Sequence, residues 1–363
     1  MTADKLFTIP PFSLNKTDKS ATLLPMLNDL VQHHSKSCEP FYRYLQAAGF
    51  ETGGYKHIAE IPFLPVSVFK NHQLKSIPEQ DVFKVLTSSG TTGQIPSKIF
   101  LDKATANVQT KALAHIVTSV IGQERLPMLI IDSKSVLKDR ASFSARGAGI
   151  LGLSVFGRQH TYLLDDNYEL NIAEVEKFLE ANNGKPMLLF GFTFMVWQFL
   201  FQLAEKRNVD LSQAVLFHSG GWKKMIELSV TNEVFKKTLN EKFGLCRVHN
   251  FYGMVEQVGS VFIENSKGHL HCSAFSDVII RNPLDFSVMP HGQQGLIQVI
   301  SVLPESYPGM SLLTEDIGIC HGEDDANNAS LNNTVGQEWQ GKYFSILGRA
   351  AKAELRGCSD TFK

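Results

Sequence analysis

The sequence has almost no excess of charge of either sign. Its 35 lysine and arginine residues nearly balance 36 aspartate and glutamate residues, and the formal net charge is −1. A protein whose main partner is a nucleic acid or an anionic membrane surface normally carries a clear basic surplus. The composition therefore supports neither kind of partner, and any polyanion that the protein binds is expected to be small.

Cysteine is scarce, and its positions are widely spread. The 363 residues include only five cysteines, at positions 38, 246, 272, 320 and 358. An odd number of distant cysteines argues against a disulfide framework and favours a reducing compartment. The N-terminal residues also lack the basic segment and apolar core of a secretory leader. We therefore expect a cytoplasmic protein.

One uncharged run is just long enough to be considered as a membrane-spanning helix. Residues 187–204 are 18 residues without a charge, which just reaches the length of a membrane-spanning helix. Gly191 and Thr193 interrupt this run, and Gln198 and Gln202 mark a polar face. The pattern therefore predicts a short buried strand followed by a helix that begins near Thr193, and not a membrane span.

The middle of the chain shows an alternation of apolar strands and amphipathic helices. Residues 102–120 have apolar side chains at helical spacing, and residues 128–131 form an all-apolar strand. The alternation continues through residues 150–155, a helix at 172–181, a strand at 187–190, a helix through 203, a strand at 214–217 and a helix at 223–243. The pattern predicts βαβ units with parallel strands, which bind ligands at their carboxyl ends.

Two further regions flank this alternation. Residues 21–48 have apolar positions at helical spacing and predict a helical N-terminal lead. Beyond residue 248 the sequence becomes rich in strands, at residues 260–263, 277–280 and 295–302. The predicted fold is therefore α/β, with parallel βαβ sheets, a smaller and more antiparallel sheet, and the helical lead.

The stretch from Thr87 to Lys98 predicts a loop that binds phosphate. It reads Thr-Ser-Ser-Gly-Thr-Thr-Gly-Gln-Ile-Pro-Ser-Lys and lies between two predicted strands, at residues 82–86 and 99–101. Its hydroxyl groups and glycine N–H groups can surround an anion, although no Lys follows Gly93 as a Walker loop requires. A solvated linker is the alternative. The candidate ligands are Ser88, Ser89, Gly90, Thr91, Thr92, Gly93 and Lys98.

This loop resembles the phosphate signature of the adenylate-forming enzymes, which include acyl-CoA synthetases, luciferases and peptide-synthetase adenylation domains. Residues 61–70, Ile-Pro-Phe-Leu-Pro-Val-Ser-Val-Phe-Lys, and residues 97–103 are most similar to the acyl-protein synthetase (LuxE-type) family. The resemblance implies a helical segment at 1–60, an AMP-binding domain at 61–345, and a shortened hinge and tail at 346–363.

Two later motifs follow the order of the superfamily. Ser219, Gly220 and Gly221 come after a predicted strand, at the place of a loop that stacks on adenine in relatives. Residues 252–256, Tyr-Gly-Met-Val-Glu, resemble Tyr-Gly-x-Thr-Glu, in which the Glu holds the Mg²⁺ bound to ATP. The resemblance assigns nucleotide contacts to Tyr252 and Gly253 and the metal to Glu256, with Val255 in the place of the Thr. The plainer interpretations are a strand-to-helix turn and an exposed Glu.

Residues 314–318, Thr-Glu-Asp-Ile-Gly, resemble the motif Thr-Gly-Asp-x-Gly, whose Asp accepts both ribose hydroxyls. This assigns the ribose to Asp316, with a turn Asp as the plainer alternative. Arg349 belongs to a Gly-Arg pair that resembles the hinge before a mobile C-terminal domain, which is expected to be missing here. The LuxE-type family carries its acyl group on a Cys near the C-terminus. Cys358 matches that place, and nearby Arg356 favours its thiolate.

Together the motifs imply an enzyme that uses ATP and Mg²⁺ to activate a carboxylic acid, with a fatty acid as the expected class. Glu256, Arg349 and Cys358 are the expected catalytic residues, and residues 147–156 and 190–199 are expected to line the acyl pocket. The family implies delivery of the acyl group to an acyl-reductase partner protein. The alternatives are a ligase resembling phenylacetate-CoA or acyl-CoA ligases, an adenylase that loads a carrier protein, and a degenerate nucleotide-binding scaffold.

Overall fold

Parallel strands in one part of the chain and mostly antiparallel strands in another organise the computed structural model, which describes residues 3–88, 95–137, 145–222, 227, 229–324 and 339–350. Unit 1 comprises residues 1–120 and 253–363, and unit 2 comprises residues 121–252. Unit 2 contains parallel strands and unit 1 mostly antiparallel strands, which confirms the predicted α/β class. The boundaries expected at residues 60 and 345 stay a prediction.

The N-terminal lead is helical, as predicted, and consists of α1 (Lys16–Ser37) and α2 (Glu39–Ala48). Helix α1 begins after Asn15, whose side-chain oxygen accepts a hydrogen bond from the Asp18 N–H at 2.9 Å. An apolar stripe at a spacing of four residues is fully buried: Leu23, Leu27 and Val31. This burial explains why the periodic pattern forms a stable helix.

The first part of unit 1 leads from these helices to the loop predicted to bind phosphate. Its elements are β1 (Leu64–Pro65), α3 (Val68–Asn71), β2 (Lys84–Thr87), β3 (Lys98–Leu101) and α4 (Lys103–Ile121). Strands β2 and β3 pair in antiparallel fashion, with Thr87 opposite Lys98. The two strands predicted on either side of the loop are therefore confirmed.

Unit 2 is a parallel sheet with helices between its strands. Its elements are β4 (Leu126–Ser133), α5 (Ala145–Ser154), β5 (Gly157–Leu164), α6 (Ile172–Ala181), β6 (Met187–Phe192), α7 (Thr193–Met195), α8 (Phe201–Lys206), β7 (Ala214–Ser219), α9 (Asn232–Phe243) and β8 (Arg247–Tyr252). The strand order is β8, β7, β6, β4, β5, and every neighbouring pair is parallel. The predicted βαβ pattern is confirmed.

Two details of unit 2 differ from the sequence patterns. The apolar run at residues 150–155 lies mainly in α5, and the next strand is β5, where Arg158, Gln159 and His160 are exposed. A short apolar run cannot distinguish a buried strand from a buried helix, and a partly exposed edge strand lacks the all-apolar pattern. In the described residues α9 begins at Asn232, where the Thr231 side chain accepts a hydrogen bond from the Val234 N–H at 3.3 Å and caps the helix. Residues 223–226 and 228 of the helix predicted from residue 223 lie outside the described residues.

The uncharged run at residues 187–204 divides as predicted. Strand β6 is buried along its whole length, and α7 begins at Thr193. A π-helical turn, Val196–Leu200, joins α7 to α8. In the part of the chain that the structure describes, no helix is long and apolar enough to cross a membrane.

The second part of unit 1 is the predicted antiparallel sheet. Its strands are β9 (Phe262–Glu264), β10 (Leu270–His271), β11 (Ser276–Arg281), β12 (Gln294–Ser301), β13 (Ser311–Glu323) and β14 (Lys342–Arg349). They follow the order β11, β12, β13, β14, β10, β9, and every neighbouring pair is antiparallel. Strand β1 adds to this sheet by pairing in parallel with β13.

Candidate functional site

The two ends of the predicted phosphate loop are held together at the tip of the β2–β3 hairpin. The Ser88 N–H donates to the Ser97 carbonyl at 3.1 Å, and the Ser97 N–H donates to Ser88 Oγ at 2.8 Å. Lys98 is exposed at the start of β3. The other predicted ligands of the loop, residues 89–93, lie outside the described residues. The hairpin thus fixes where the loop leaves and returns.

Glu256 lies in a buried 3₁₀ turn, Val255–Gln257, with only 6% of its surface exposed. The Gln257 side-chain N–H donates to the Gly309 carbonyl at 2.9 Å. At Gly309 a Cβ atom would lie 2.3 Å from Cε2 of Tyr307 and 2.9 Å from the Glu256 carbonyl oxygen. Residue 309 must therefore be glycine for the turn to pack this closely. Gly309 thus holds the turn both through its carbonyl and through the close approach of its Cα.

Three side chains of unit 1 act on the Glu256 carboxyl. Burial raises the pKa of Glu256, a nearby Glu315 raises it further, and Lys70 lowers it. Ser97 also lowers this pKa, although its buried Oγ makes no hydrogen bond of good geometry among the described residues. The site therefore presents a buried carboxyl and a buried hydroxyl beside the return of the loop.

A magnesium ion fits this arrangement. Mg²⁺ is commonly held by one or two carboxylates together with substrate phosphates and water, rather than by a complete protein cage. The described residues contain no cluster of three or more His, Cys, Asp or Glu side chains that would form such a cage. The buried Glu256 carboxyl beside Ser97, where the loop returns, has the chemistry of such a single protein ligand.

Asp316 and Arg349 face each other across β13 and β14. The two residues are directly paired in the sheet, and Arg349 Nε lies 3.6 Å from Asp316 Oδ1. The Asp316 N–H donates to Thr314 Oγ1 at 3.1 Å, and Thr314 is itself fixed by donating to the Ile297 carbonyl at 2.8 Å. Asp316 is half-buried, so its carboxylate is positioned by the sheet while remaining accessible to a polar ligand.

The predicted adenine-binding residues lie in unit 2, at the carboxyl ends of two neighbouring parallel strands. Ser219 ends β7 and donates from Oγ to the Phe251 carbonyl at 2.8 Å, next to Tyr252 at the end of β8. Gly220 has φ +78, and a Cβ atom there would lie 2.8 Å from the Phe192 ring. Ser219, Gly220 and Tyr252 are therefore brought together at the edge where such sheets bind ligands. Gly221 is exposed next to them.

His218, which precedes this turn, is a core residue. Its Nδ1 lies 2.9 Å from Thr193 Oγ1, and burial lowers the pKa of His218 to about 3. A histidine with this pKa stays neutral at physiological pH and is a poor proton carrier. The geometry makes His218 a hydrogen-bonded core histidine and not a catalytic one.

The two segments expected to line an acyl pocket touch each other within unit 2. A Cβ atom at Gly149 of α5 would lie 3.0 Å from Cζ of Phe190 and 3.4 Å from the Phe192 ring. Helix α5 thus approaches β6 closely through a glycine. The assignment of this region to an acyl chain stays a prediction.

The predicted residues that the structure describes divide between the two units, and the others are undescribed. Unit 1 holds Ser88, Lys98, Gly253, Glu256, Asp316 and Arg349, and unit 2 holds Ser219, Gly220, Gly221 and Tyr252. Cys358 lies outside the described residues. The sequence patterns do not single out Gln257 or Gly309, because residues 308–309, Pro-Gly, indicate only a turn. Lys70 is part of the stretch that resembles the LuxE-type family, but no role follows from its position in the sequence.

The comparisons with known proteins agree with the motifs. The model of the family described as acyl-protein synthetase, LuxE, matches residues 1–363. A long-chain-fatty-acid–luciferin-component ligase from Vibrio harveyi is 22% identical over 340 residues, which cover 88% of this chain and 85% of the relative. A protein of the same name from Aliivibrio fischeri is 24% identical over 269 residues, covering 72% of this chain and 70% of the relative.

Solved structures support the fold. An open conformation of 2-hydroxyisobutyryl-CoA ligase, in complex with 2-HIB-AMP and CoA, superposes with a TM-score of 0.70 at 17% identity and covers 93% of this chain and 71% of its own. The same ligase in its thioesterification state gives a TM-score of 0.69 at 16% identity, over 97% of this chain and 71% of its own. The fold is therefore that of adenylate-forming ligases.

Proposed function

The chain belongs to the acyl-protein synthetase LuxE family and is an AMP-forming ligase, and from this we propose that it activates a fatty acid with ATP and then carries the acyl group on Cys358. The relatives named for long-chain fatty acids support that class of acid. In the last step the acyl group would pass to an acyl-reductase partner. This delivery rests on the family resemblance.

The observation that carries the proposal is the buried Glu256 beside the return of the predicted phosphate loop. A carboxyl that is 6% exposed needs a compensating cation or proton, because burial disfavours its charged form. The Mg²⁺ that accompanies ATP would be held by Glu256 and would neutralise charge on the phosphates. The donors of Ser88 and of residues 89–93 would surround the same phosphates.

The other residues position the nucleotide. Asp316 would accept hydrogen bonds from both ribose hydroxyls, and Arg349 would hold its carboxylate in place across the sheet. The adenine ring would lie against the backbone of residues 219–221 near Tyr252, where Gly220 and Gly221 carry no side chain.

In the first half-reaction a carboxylate oxygen of the acid attacks the α-phosphorus of ATP. A new P–O bond forms, and the bond to the bridging oxygen breaks with its electron pair leaving on pyrophosphate. In the second half-reaction the Cys358 thiolate attacks the acyl carbonyl, and the electron pair of the breaking C–O bond leaves on AMP. The product is an acyl thioester on the protein.

Pyrophosphate exchange into ATP across a panel of carboxylic acids tests the first half-reaction without requiring the second. We expect exchange that depends on the acid and is strongest with long-chain fatty acids. Absence of exchange with every acid would overturn the proposal and favour a nucleotide-binding scaffold. Release of free acyl-CoA when CoA is added would instead favour a CoA ligase.

A further inference from the structure

Lys70 is a cationic side chain held at a fixed place beside the phosphate loop. It lies in α3, next to Phe69, which is 1% exposed and packs its ring edge against Tyr307 at 6.1 Å between centroids. The segment before α3 is tied to β13, because the Val66 N–H donates to the Leu313 carbonyl at 2.9 Å and β1 pairs with the same strand. Lys70 therefore projects from a rigid support.

A cavity of about 150 Å³ opens where the loop returns to β3. Lys70 and Lys98 line it, together with Phe69, His72, Ile95 and Pro96. None of the described lining residues is Asp or Glu, so the cavity has basic groups and no carboxylate of its own. A surface cavity with two lysines, next to the predicted phosphate loop, is suited to a small polyanion.

The surroundings leave Lys70 available for such a ligand. Strand β3 contacts both α3 and the 3₁₀ turn that carries Glu256, and Lys70 is close enough to lower the pKa of that carboxyl. Within the described residues, the half-buried Lys70 ammonium has no hydrogen-bond or ion-pair partner of its own. Lys70 acts on Glu256 only at a distance, and a partly desolvated ammonium with no direct hydrogen bond to a carboxylate gains from a ligand that brings further negative charge.

We propose that Lys70, assisted by Lys98, binds the β- and γ-phosphates of ATP and stabilises pyrophosphate as it leaves. When the bond between the α-phosphorus and the bridging oxygen breaks, the electron pair stays on that oxygen and the charge of the leaving group increases. An ammonium already in place stabilises the increased charge more than the starting state, which lowers the barrier. The inference rests on the proposed function, since it assigns a subsite of the same adenylation site.

The test compares four full-length proteins: wild type, Lys70→Met, Lys70→Arg and Lys36→Met. Lys36 is an exposed lysine of α1 and serves as the matched loss of one positive charge in unit 1. ATP–pyrophosphate exchange is measured with the most active fatty acid while Mg²⁺, ATP, pyrophosphate and the acid are each varied. We expect Lys70→Met to raise the KM for pyrophosphate about 10-fold or more, as loss of a hydrogen bond to a charged group implies. The KM for the fatty acid should be unchanged, Lys70→Arg should retain most activity, and Lys36→Met should behave as wild type.

A binding measurement makes the result independent of turnover. Magnesium pyrophosphate should raise the melting temperature of wild type and of Lys36→Met by a few degrees, because it binds the folded state, and the shift should be much smaller for Lys70→Met. An unchanged melting temperature without ligand shows that Lys70→Met is folded.

The outcomes separate the two proposals. Wild type without any exchange contradicts the proposed function. Wild type that exchanges normally, together with Lys70→Met that keeps the wild-type KM for pyrophosphate and the wild-type melting shift, contradicts the role of Lys70. A rise in the KM for Mg²⁺ alone also contradicts it, because Lys70 would then act only on Glu256.

Discussion

Glu256 is a carboxyl in surroundings that oppose its charge. Because burial raises the pKa of Glu256, replacing it with a neutral isostere removes a desolvation cost and leaves the shape of the turn intact. We expect Glu256→Gln to lower kcat for pyrophosphate exchange about 100-fold or more, while its melting temperature equals or exceeds that of wild type. Glu205→Gln, at an exposed position, is the control. Near wild-type exchange by Glu256→Gln would remove the metal assignment.

Cys358 separates the two half-reactions. We expect Cys358→Ser to exchange pyrophosphate normally, since adenylation precedes the thiol step, but to acquire no label from radioactive fatty acid and ATP. The wild-type label should be released by hydroxylamine, as a thioester requires.

The structure supplies the matched control for this experiment. Cys38, Cys272 and Cys320 are buried, and burial raises the pKa of each thiol, whereas Cys246 is exposed. Cys246→Ser should therefore keep the label. A label that persists on Cys358→Ser and disappears from Cys246→Ser would move the acyl group to the exposed thiol.

At the scale of elements, the 3₁₀ turn depends on a glycine 53 positions beyond its carboxyl residue. A methyl group at position 309 would overlap Tyr307 and the Glu256 carbonyl. We expect Gly309→Ala to cost about 1–3 kcal/mol of stability and to lower exchange activity through displacement of Glu256.

The control for Gly309→Ala is Gly152→Ala in α5, because nothing lies within 4 Å of the Cβ atom that this substitution adds. It should be neutral or more stable by about 0.5–1 kcal/mol, because alanine favours a helix interior. Urea unfolding measures both variants. Equal stability of Gly309→Ala and wild type would show that the turn is not clamped at this point.

At the scale of the whole molecule, three buried histidines predict acid sensitivity. Burial lowers the pKa of His34, His218 and His271 to about 3, while in the unfolded chain each would titrate near 6.5. Below pH 6.5 the unfolded state therefore binds more protons than the folded state. The stability contribution is complete above this pH and is lost as the pH falls toward 3.

Together the three groups give a slope of up to about 4 kcal/mol per pH unit in the free energy of unfolding. Urea titrations at pH 7, 6 and 5 measure it. His34→Gln should make the free energy of unfolding less dependent on pH, since His34 accounts for one of the three protons. In the folded state the His34 ring contacts Ser76 Oγ at 2.7 Å and the Pro304 carbonyl at 3.1 Å. Equal free energies of unfolding at pH 7 and pH 5 would contradict the prediction.

Local patterns were sufficient for much of the fold. The all-apolar strand at residues 128–131 and the apolar periodicity of residues 102–120 predicted β4 and α4, because burial on a strand or on one helix face leaves a periodic trace in the sequence. The run at residues 150–155 was ambiguous, and only its packing in α5 resolved it. Apolar runs on either side of the hydroxyl-rich loop and before the Ser-Gly-Gly motif also predicted a loop between two strands and a turn at the end of β7.

The tertiary structure decided which distant residues meet. Lys70 comes near Glu256 because β1 pairs with β13 and carries α3 alongside β3, a proximity that no local pattern records. Asp316 and Arg349 meet only because β13 and β14 are in register, and Gly309 is required only because the 3₁₀ turn packs against it. Sequence periodicity reports whether a residue is buried. The identity of its neighbours depends on strand pairing and register, which join segments far apart in the chain.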